Sequence, residues 1–198
     1  QLLRDRDDLS TDVQSGIQTI ETSGHHLWAL VNDILDISRI EAGQMELQNT
    51  DFDLLHLIDG ISDIFALRCE QKGLDWQVEW ERGSEKAYRS LPRPLVHSDE
   101  GKLRQVLNNL LGNAVKFSQP GGTVWLTAER LGDEMRFQVS YHGRGVPADK
   151  LESIFERFQQ VDASDSREKG GTGLGLAISQ ELVRLMQGDI TLQSTQDE

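Results

Sequence analysis

The chain has 198 residues, 37% of them hydrophobic, which suffices for one large packed domain or two small ones. Its 33 acidic residues against 20 basic ones give a formal charge of -13, a field that repels phosphodiester backbones and anionic surfaces, so nucleic acid and direct membrane contact are not expected. A lone cysteine, Cys69, rules out an internal disulfide and fits a reducing, cytoplasmic compartment, and no apolar run approaches the roughly 20 residues that span a bilayer.

In chain order, Leu9 to Gly43 is predicted as one long helix. Val13, Ile17, Ile20, Gly24, Leu27, Val31, Ile34 and Ser38 recur at spacings of four and three, a heptad-like seam widened by Leu30, Leu35, Ile37 and Ile40. Ser10 stands as N-cap and Gly43 as stop. A stripe of that breadth needs another helix to cover it, so a helical hairpin is expected whose first arm is mostly missing, completed by a second chain in a bundle. The pattern changes between Ala42 and Thr50, which divides the chain into residues 1–46 and 47–198.

Phe52 to Lys72 is predicted as a second amphipathic helix, ended by Gly73, and Trp76, Val78 and Trp80 alternate as a strand. After a segment broken by Pro92 and Pro94, Ser98 or Asp99 opens a helix that Pro120-Gly121-Gly122 closes. Val124 to Glu129 and Met135 to Ser140 flank Gly132-Asp133 as a hairpin. Asp149 to Phe158 is expected to be helical, Gln159 to Lys169 a polar loop, Gly175 to Gln187 helical, and Ile190 to Gln193 a last strand. Mixed helices and mostly antiparallel strands indicate an α+β class rather than a doubly wound parallel sheet.

Three stretches carry chemistry. In "DEGKLRQVLNNLLGNAVKFS" (Asp99 to Ser118) Leu103, Val106, Leu107, Leu110, Leu111 and Ala114 share one face, and Gln105, Asn109, Asn113 and Lys116 form a polar stripe at its edge. Amide oxygens four residues apart suit a hard cation, and a lysine three residues on suits a phosphate; an ordinary solvated face has the same composition. In "GGTGLGL" (Gly170 to Leu176) the glycines 171, 173 and 175 let backbone N–H groups converge on an anion at the start of the following helix, although a hinge has the same composition. Neither the G-x-G-x-x-G dinucleotide fingerprint nor the G-x-x-x-x-G-K-[ST] loop is present. In "VSYHGRGVP" (Val139 to Pro147) a strand ends in Gly143 and Gly145, which lets the backbone pass close to a planar ligand.

Taken together, these stretches resemble the ATP-binding domain of bacterial sensor histidine kinases, of the ATPase fold shared with Hsp90-type chaperones, type II topoisomerases and MutL-type repair proteins. "LRQVLNNLLGNAVKFS" looks like the N box, "GRGVP" the first glycine box, "IFERFQQVD" the F box and "GGTGLGLAIS" the second glycine box, while "HLWALVNDILDISRIEAGQMEL" is similar to the second helix of the dimerisation domain. The resemblance runs from about Leu9 to Ile190. It implies a long helix of a dimeric helical-hairpin bundle followed by a two-layer α/β sandwich.

By the same resemblance, Asn113 would hold Mg²⁺ against the phosphates of ATP, with Asn109 beside it and Lys116 reaching a phosphate. Gly171, Thr172, Gly173, Leu174 and Gly175 would wrap the phosphates, and Gln159 to Gly170 would be a lid anchored by Phe155 and Phe158, with Arg167 as a phosphate contact. Gly143 and Gly145 would lie beside the base. Two departures stand out. Tyr141 occupies the place of the aspartate that accepts a hydrogen bond from the adenine amino group, which implies weak or no specificity for adenine, a contact worth about 1 to 3 kcal/mol when its partner is left buried. No His-Glu/Asp-x-x-x-Pro-like acceptor box occurs, since His25, His26, His56 and His97 all lack that setting, so the chain as it stands is not expected to autophosphorylate.

The leading expectation is the core of a sensor histidine kinase that passes the γ-phosphoryl of ATP to a histidine and on to an aspartate of a response-regulator receiver domain, working as a homodimer. The alternative is a degenerate kinase-like scaffold that binds little nucleotide; a chaperone or topoisomerase ATPase fits less well, because the heptad helix joins the ATPase directly.

Overall fold

The computed structural model describes residues 10–80, 95–159 and 172–194. The chain divides into two units, Gln1–Met45 and Glu46–Glu198. Arg167, Gly171 and all of the expected lid beyond Gln159 lie outside the described residues, as do the side chains of His25 and His26.

In the first unit, helix α1 (Thr11–Glu41) follows the heptad pattern over 31 residues. Ser10 precedes it in an extended conformation but makes no side-chain cap bond. Its other end closes as the glycine predicts. Gly43 takes φ 62°, its N–H reaches the Ile40 carbonyl at 3.0 Å and the Gln44 N–H reaches that of Arg39 at 2.8 Å, the paired bonds of a Schellman turn. The seam stays open, with Ile20 and Leu27 exposed at 73% and 63%.

The second unit begins with strand β1 (Thr50–Asp53), paired antiparallel with β3 (Leu95–Ser98) from Thr50 opposite Ser98 to Asp53 opposite Leu95. Both strands escape the sequence reading, which folds Phe52 and Asp53 into the next helix. Asp53 is instead its cap: the carboxylate accepts the N–H groups of Leu55 at 3.0 Å and His56 at 3.3 Å, and α2 runs Leu54–Gln71. A second Schellman turn at Gly73 (φ 64°) turns the chain back, and its Leu74 N–H bonds the Cys69 carbonyl at 2.9 Å, both residues being buried.

Strand β2 (Asp75–Trp80) pairs in parallel with β4 (Thr123–Leu131), which pairs antiparallel with β5 (Glu134–Tyr141). The β4–β5 turn is the predicted two-residue Gly132-Asp133 link, with Gly132 at φ 66°. Alternation along β4 sends Val124, Leu126 and Ala128 into the core, where they meet Leu54, Ile58, Ile61 and Phe65 of α2 and Leu107, Leu111 and Ala114 of α3 (Glu100–Phe117). The result is a mixed α+β layer of helices on a sheet.

Asp99 ties this layer together. Largely buried, it gives one carboxylate oxygen to the Lys102 N–H at 2.9 Å, capping α3, and the other to the Gln48 N–H at 2.9 Å. Helix α4 (Gly175–Leu185) packs along α3.

Two further expectations are corrected. Asp149 to Phe158 is not one helix but two 3₁₀ turns, Ala148–Lys150 and Ser153–Phe155, and Glu156 already turns extended. Ile190 to Gln193 forms no strand. Only four alternating residues support a strand there, and a bond from the Val146 N–H to Ser194 Oγ at 2.7 Å fixes the end of the segment instead.

Candidate functional site

Helix α3 is cut lengthwise by its own sequence. Leu103, Leu107, Leu111 and Ala114 enter the core, whereas Leu110, expected on the same face, stays only half-buried, as do Asn109, Asn113 and Lys116 at the margin. Asn109 points at α4. Its amide Nδ2 donates to Ser179 Oγ at 2.8 Å, and Ser179 is buried. The same amide lies close to Gly175, so that a β carbon there would overlap Asn109 Oδ1 and come within 2.8 Å of its Cγ and Nδ2. Gly175 and Ser179 stand one turn apart on one side of α4, and together they hold a single amide. The glycine is thus required for close approach of two helices.

Just before α4, the backbone is shaped by its own side chains. Thr172 Oγ1 accepts the Leu174 N–H at 3.0 Å, and Gly173 sits at φ 69° with the backbone of Phe158 against it. The Phe158 N–H donates to the Gly173 carbonyl at 2.9 Å, and a β carbon on Gly173 would fall 2.8 Å from Phe158 carbons. Phe158 takes φ 61°, a conformation costly for a residue with a side chain, and the residue is 69% exposed. Phe158 therefore meets Gly173 through its main chain. Leu174, fully buried, stands at the cap position of α4. Whereas the first amides of α2 and α3 bond aspartates, the residue at the cap position of α4 makes no side-chain cap bond, and the positive end of the helix dipole lies at this turn.

At the other end of α3 the second cluster forms. Ser118 and Gly143 make an antiparallel bridge, and the Gln119 N–H bonds the His142 carbonyl at 3.0 Å. Gly143 is squeezed: a β carbon would lie 2.6 Å from the Phe117 carbonyl oxygen and 2.8 Å from Tyr141 Cε2. The Tyr141 ring thus folds over the glycine and packs against the core. Burial pushes its phenol above the usual range, and the Arg144 guanidinium partly offsets this. Gly145 takes φ 69°.

Asn109, Thr172, Gly173, Leu174, Gly175 and Phe158 are therefore gathered at one end of the stripe, and Lys116, Tyr141 and Gly143 at the other. Eight residues of helix, about 12 Å, separate Asn109 from Phe117, with Asn113 between them. Among the described residues no three His, Cys, Asp or Glu side chains are grouped to hold a metal. The residue that sequence reasoning misses is Ser179; its signal is the four-residue spacing from Gly175.

The arrangement has known counterparts. Residues 98–198 match the family model for histidine kinase-, DNA gyrase B-, and HSP90-like ATPases. The circadian input-output histidine kinase CikA of Synechococcus elongatus is 43% identical over 179 residues, which cover 90% of this chain and 23% of that protein. The aerobic respiration control sensor protein ArcB of Escherichia coli is 35% identical over 191 residues, 96% of this chain and 23% of that protein. Among solved structures, full-length ShkA in complex with AMPPNP superposes with a TM-score of 0.72 at 34% identity, covering 94% of this chain and 38% of that one. The chain thus spans less than a quarter of the length of these curated relatives.

Proposed function

Because the chain belongs to the histidine kinase-, DNA gyrase B-, and HSP90-like ATPase family, in its sensor histidine kinase branch, we propose that it binds Mg²⁺-ATP along α3 and supplies the γ-phosphoryl group to a histidine, for onward transfer to a receiver-domain aspartate. The observation that carries the reading is the seating of Asn109 on Gly175 and Ser179, which holds the polar stripe of α3 against the glycine-rich start of α4.

In this reading residues 47–198 are the ATP-binding domain. The first-turn amides of α4, with Gly171, Thr172, Gly173, Leu174 and Gly175, take the phosphates; Lys116 and Arg167 add positive charge; Gly143 and Gly145 lie near the base; Phe158 fixes the start of a lid. Asn113 gives its amide oxygen to Mg²⁺. Mg²⁺ is usually held by one or two protein oxygens together with substrate phosphates, which a single amide oxygen from Asn113 would suit. When bound, Mg²⁺ would supply charge neutralisation at the phosphates, and the residues act by positioning and electrostatics rather than by covalent chemistry. Residues 1–46 are proposed to be part of a homodimerising helical bundle, supported by the exposed seam of α1.

Isothermal titration with Mg²⁺-ATP tests the reading: saturable binding that Asn113→Ala weakens at least tenfold supports it, and no heat at millimolar nucleotide sinks it. One observation favours the scaffold reading, namely the Tyr141 ring packed over Gly143 where the resemblance expects an aspartate. Tyr141→Asp separates the two. A large gain in ATP affinity supports a natural chain that signals without nucleotide, whereas unchanged affinity supports a site that works with tyrosine.

A further inference from the structure

Asn109 is held by one end of its amide. Nδ2 donates to Ser179 Oγ at 2.8 Å, and among the described residues Oδ1 accepts no hydrogen bond. Ser179 is a buried hydroxyl on a helix whose other buried residues, Ala177, Ile178 and Leu182, are apolar. A hydroxyl in such a place costs free energy unless it is bonded, and the Asn109 amide is its partner. Gly175 lies one turn earlier, at the start of α4, and of the amide atoms Oδ1 is the one a β carbon there would meet first. The nitrogen is thus turned into the helix pair and the oxygen towards the glycine-rich turn.

The two ends of an amide have nearly the same shape and opposite chemistry, and rotation about its last torsion is soft, so an amide at the edge of a site needs something to choose which end faces out. A hydroxyl by itself does not choose, since it can donate or accept. The choice comes from the pair of contacts: nitrogen at Ser179 leaves the oxygen at the positive end of the α4 dipole, where negative partial charge is favoured, and the reverse would put N–H hydrogens there. One function of this bond is to fasten α4 to α3, which it does whichever way the amide is turned. The orientation points to a second function. Phosphate oxygens are acceptors and gain nothing from an amide oxygen, whereas a hard cation, or a water bound to one, does. Asn113 lies one turn further along the same edge of α3.

We infer that Ser179 is a positioning residue of the nucleotide site, which turns Asn109 so that its oxygen rather than its nitrogen faces the cation accompanying the phosphates. The inference rests on the nucleotide-binding reading above. It names the ligand class as divalent-cation complexes of nucleoside di- and triphosphates, in preference to the free nucleotides. Ser179 acts through Asn109 and takes no part in bond making or breaking.

The 198-residue chain and its Ser179→Ala variant are titrated by calorimetry with ADP in excess Mg²⁺ and with ADP in EDTA. The expected result is about a fivefold loss of Mg²⁺-ADP affinity in Ser179→Ala, the size of one hydrogen bond, and less than about a twofold loss for metal-free ADP. Equal losses with and without Mg²⁺ assign the bond to helix packing alone and overturn the inference while leaving the nucleotide site intact; so does no loss in either condition. Failure of the unaltered chain to bind ADP in both conditions overturns both readings at once. Should Ser179→Ala lower the unfolding temperature, the same change made on top of Asn109→Asp decides, because a carboxylate has an oxygen at each end and needs no orienting. There Ser179→Ala is expected to change Mg²⁺-ADP affinity by less than about twofold. A loss as large as that seen beside Asn109, or abolition of Mg²⁺-ADP binding by Asn109→Asp itself, overturns the inference.

Discussion

Helices α1 and α2 follow the same periodic rule and end in the same glycine turn, yet their apolar residues live in opposite surroundings. In α2, Leu54, Leu57, Ile58, Ile61 and Phe65 have no exposed surface. In α1, Val13, Val31, Ile34 and Leu35 are 46 to 50% exposed, and Trp28 is 71% exposed. An amphipathic pattern specifies that a face is to be covered and leaves open by what. For α2 the cover is α3 and the sheet of its own unit; among the described residues α1 has no such cover within its unit.

The largest contrast is expected in core truncation. Phe65 stacks on Trp76 with ring centroids 6.1 Å apart and lies under Arg68, so Phe65→Ala is expected to cost about 3 to 5 kcal/mol, read as a fall in the urea midpoint. Leu27→Ala in α1 is expected to cost under about 1 kcal/mol in the dilute chain and to reduce self-association measured by light scattering. Equal costs for the two would show that the helices are covered alike.

Glycines sharpen the distinction. Gly175→Ala drives a methyl group into the Asn109 amide and is expected to cost about 1 to 3 kcal/mol and at least tenfold in ATP affinity. Gly16→Ala, on exposed helix with nothing within 4 Å, is expected to stabilise α1 by about 0.5 to 1 kcal/mol, seen as increased helicity by circular dichroism.

Alkaline pH should act on the second unit. Burial raises the Cys69 thiol above 9.0 and the Tyr141 phenol above 10.0, the latter against a smaller lowering by Arg144. Both are neutral when protonated, so the stability they support is complete below the unfolded values and declines as pH climbs through the raised folded ones. The urea midpoint is expected to drop above about pH 9, and Cys69→Ala with Tyr141→Phe to flatten that drop; an unchanged slope in the double variant argues that other groups titrate.

An effect as small as that of Gly16→Ala is expected at the end of α4. Gln187 takes φ 63° where α1 and α2 place Gly43 and Gly73, and the same bond pair closes the turn, from Gln187 to Arg184 at 3.0 Å and from Gly188 to Val183 at 2.9 Å. Gln187→Gly is expected to stabilise the unit by roughly 0.5 to 1 kcal/mol.

What the sequence makes legible follows interaction range. Helices with periodic faces and glycine stops are read nearly to the residue, as is the Gly132-Asp133 hairpin, because each signal sits inside the element. Strands β1 and β3 are missed because each has four residues and its partner lies some 45 positions away, with only Phe52 or Val96 to mark an inward face. The stretch from Asp149 to Phe158 reads as helical by composition, but Glu156 turns extended and the Phe158–Gly173 pairing closes it against a distant segment. In the candidate site, the edge position of Asn109 is legible and its clasp by Ser179 is not, since a serine on a helix has no signature until its neighbour is known. Tyr141 is legible as a departure, whereas its fold over Gly143 depends on the end of α3, beyond the reach of local pattern.

The carboxylate of Asp99 serves two masters, and this makes a joint out of what looks like a loop. Because one side chain grips both the Gln48 amide and the first turn of α3, a tug on the chain at Gln48 is delivered to the root of the helix bearing Asn109, without a relay through the leucine interior. Removing that grip, as in Asp99→Ala, would slacken the lead-in strand and fray the helix root in a single event.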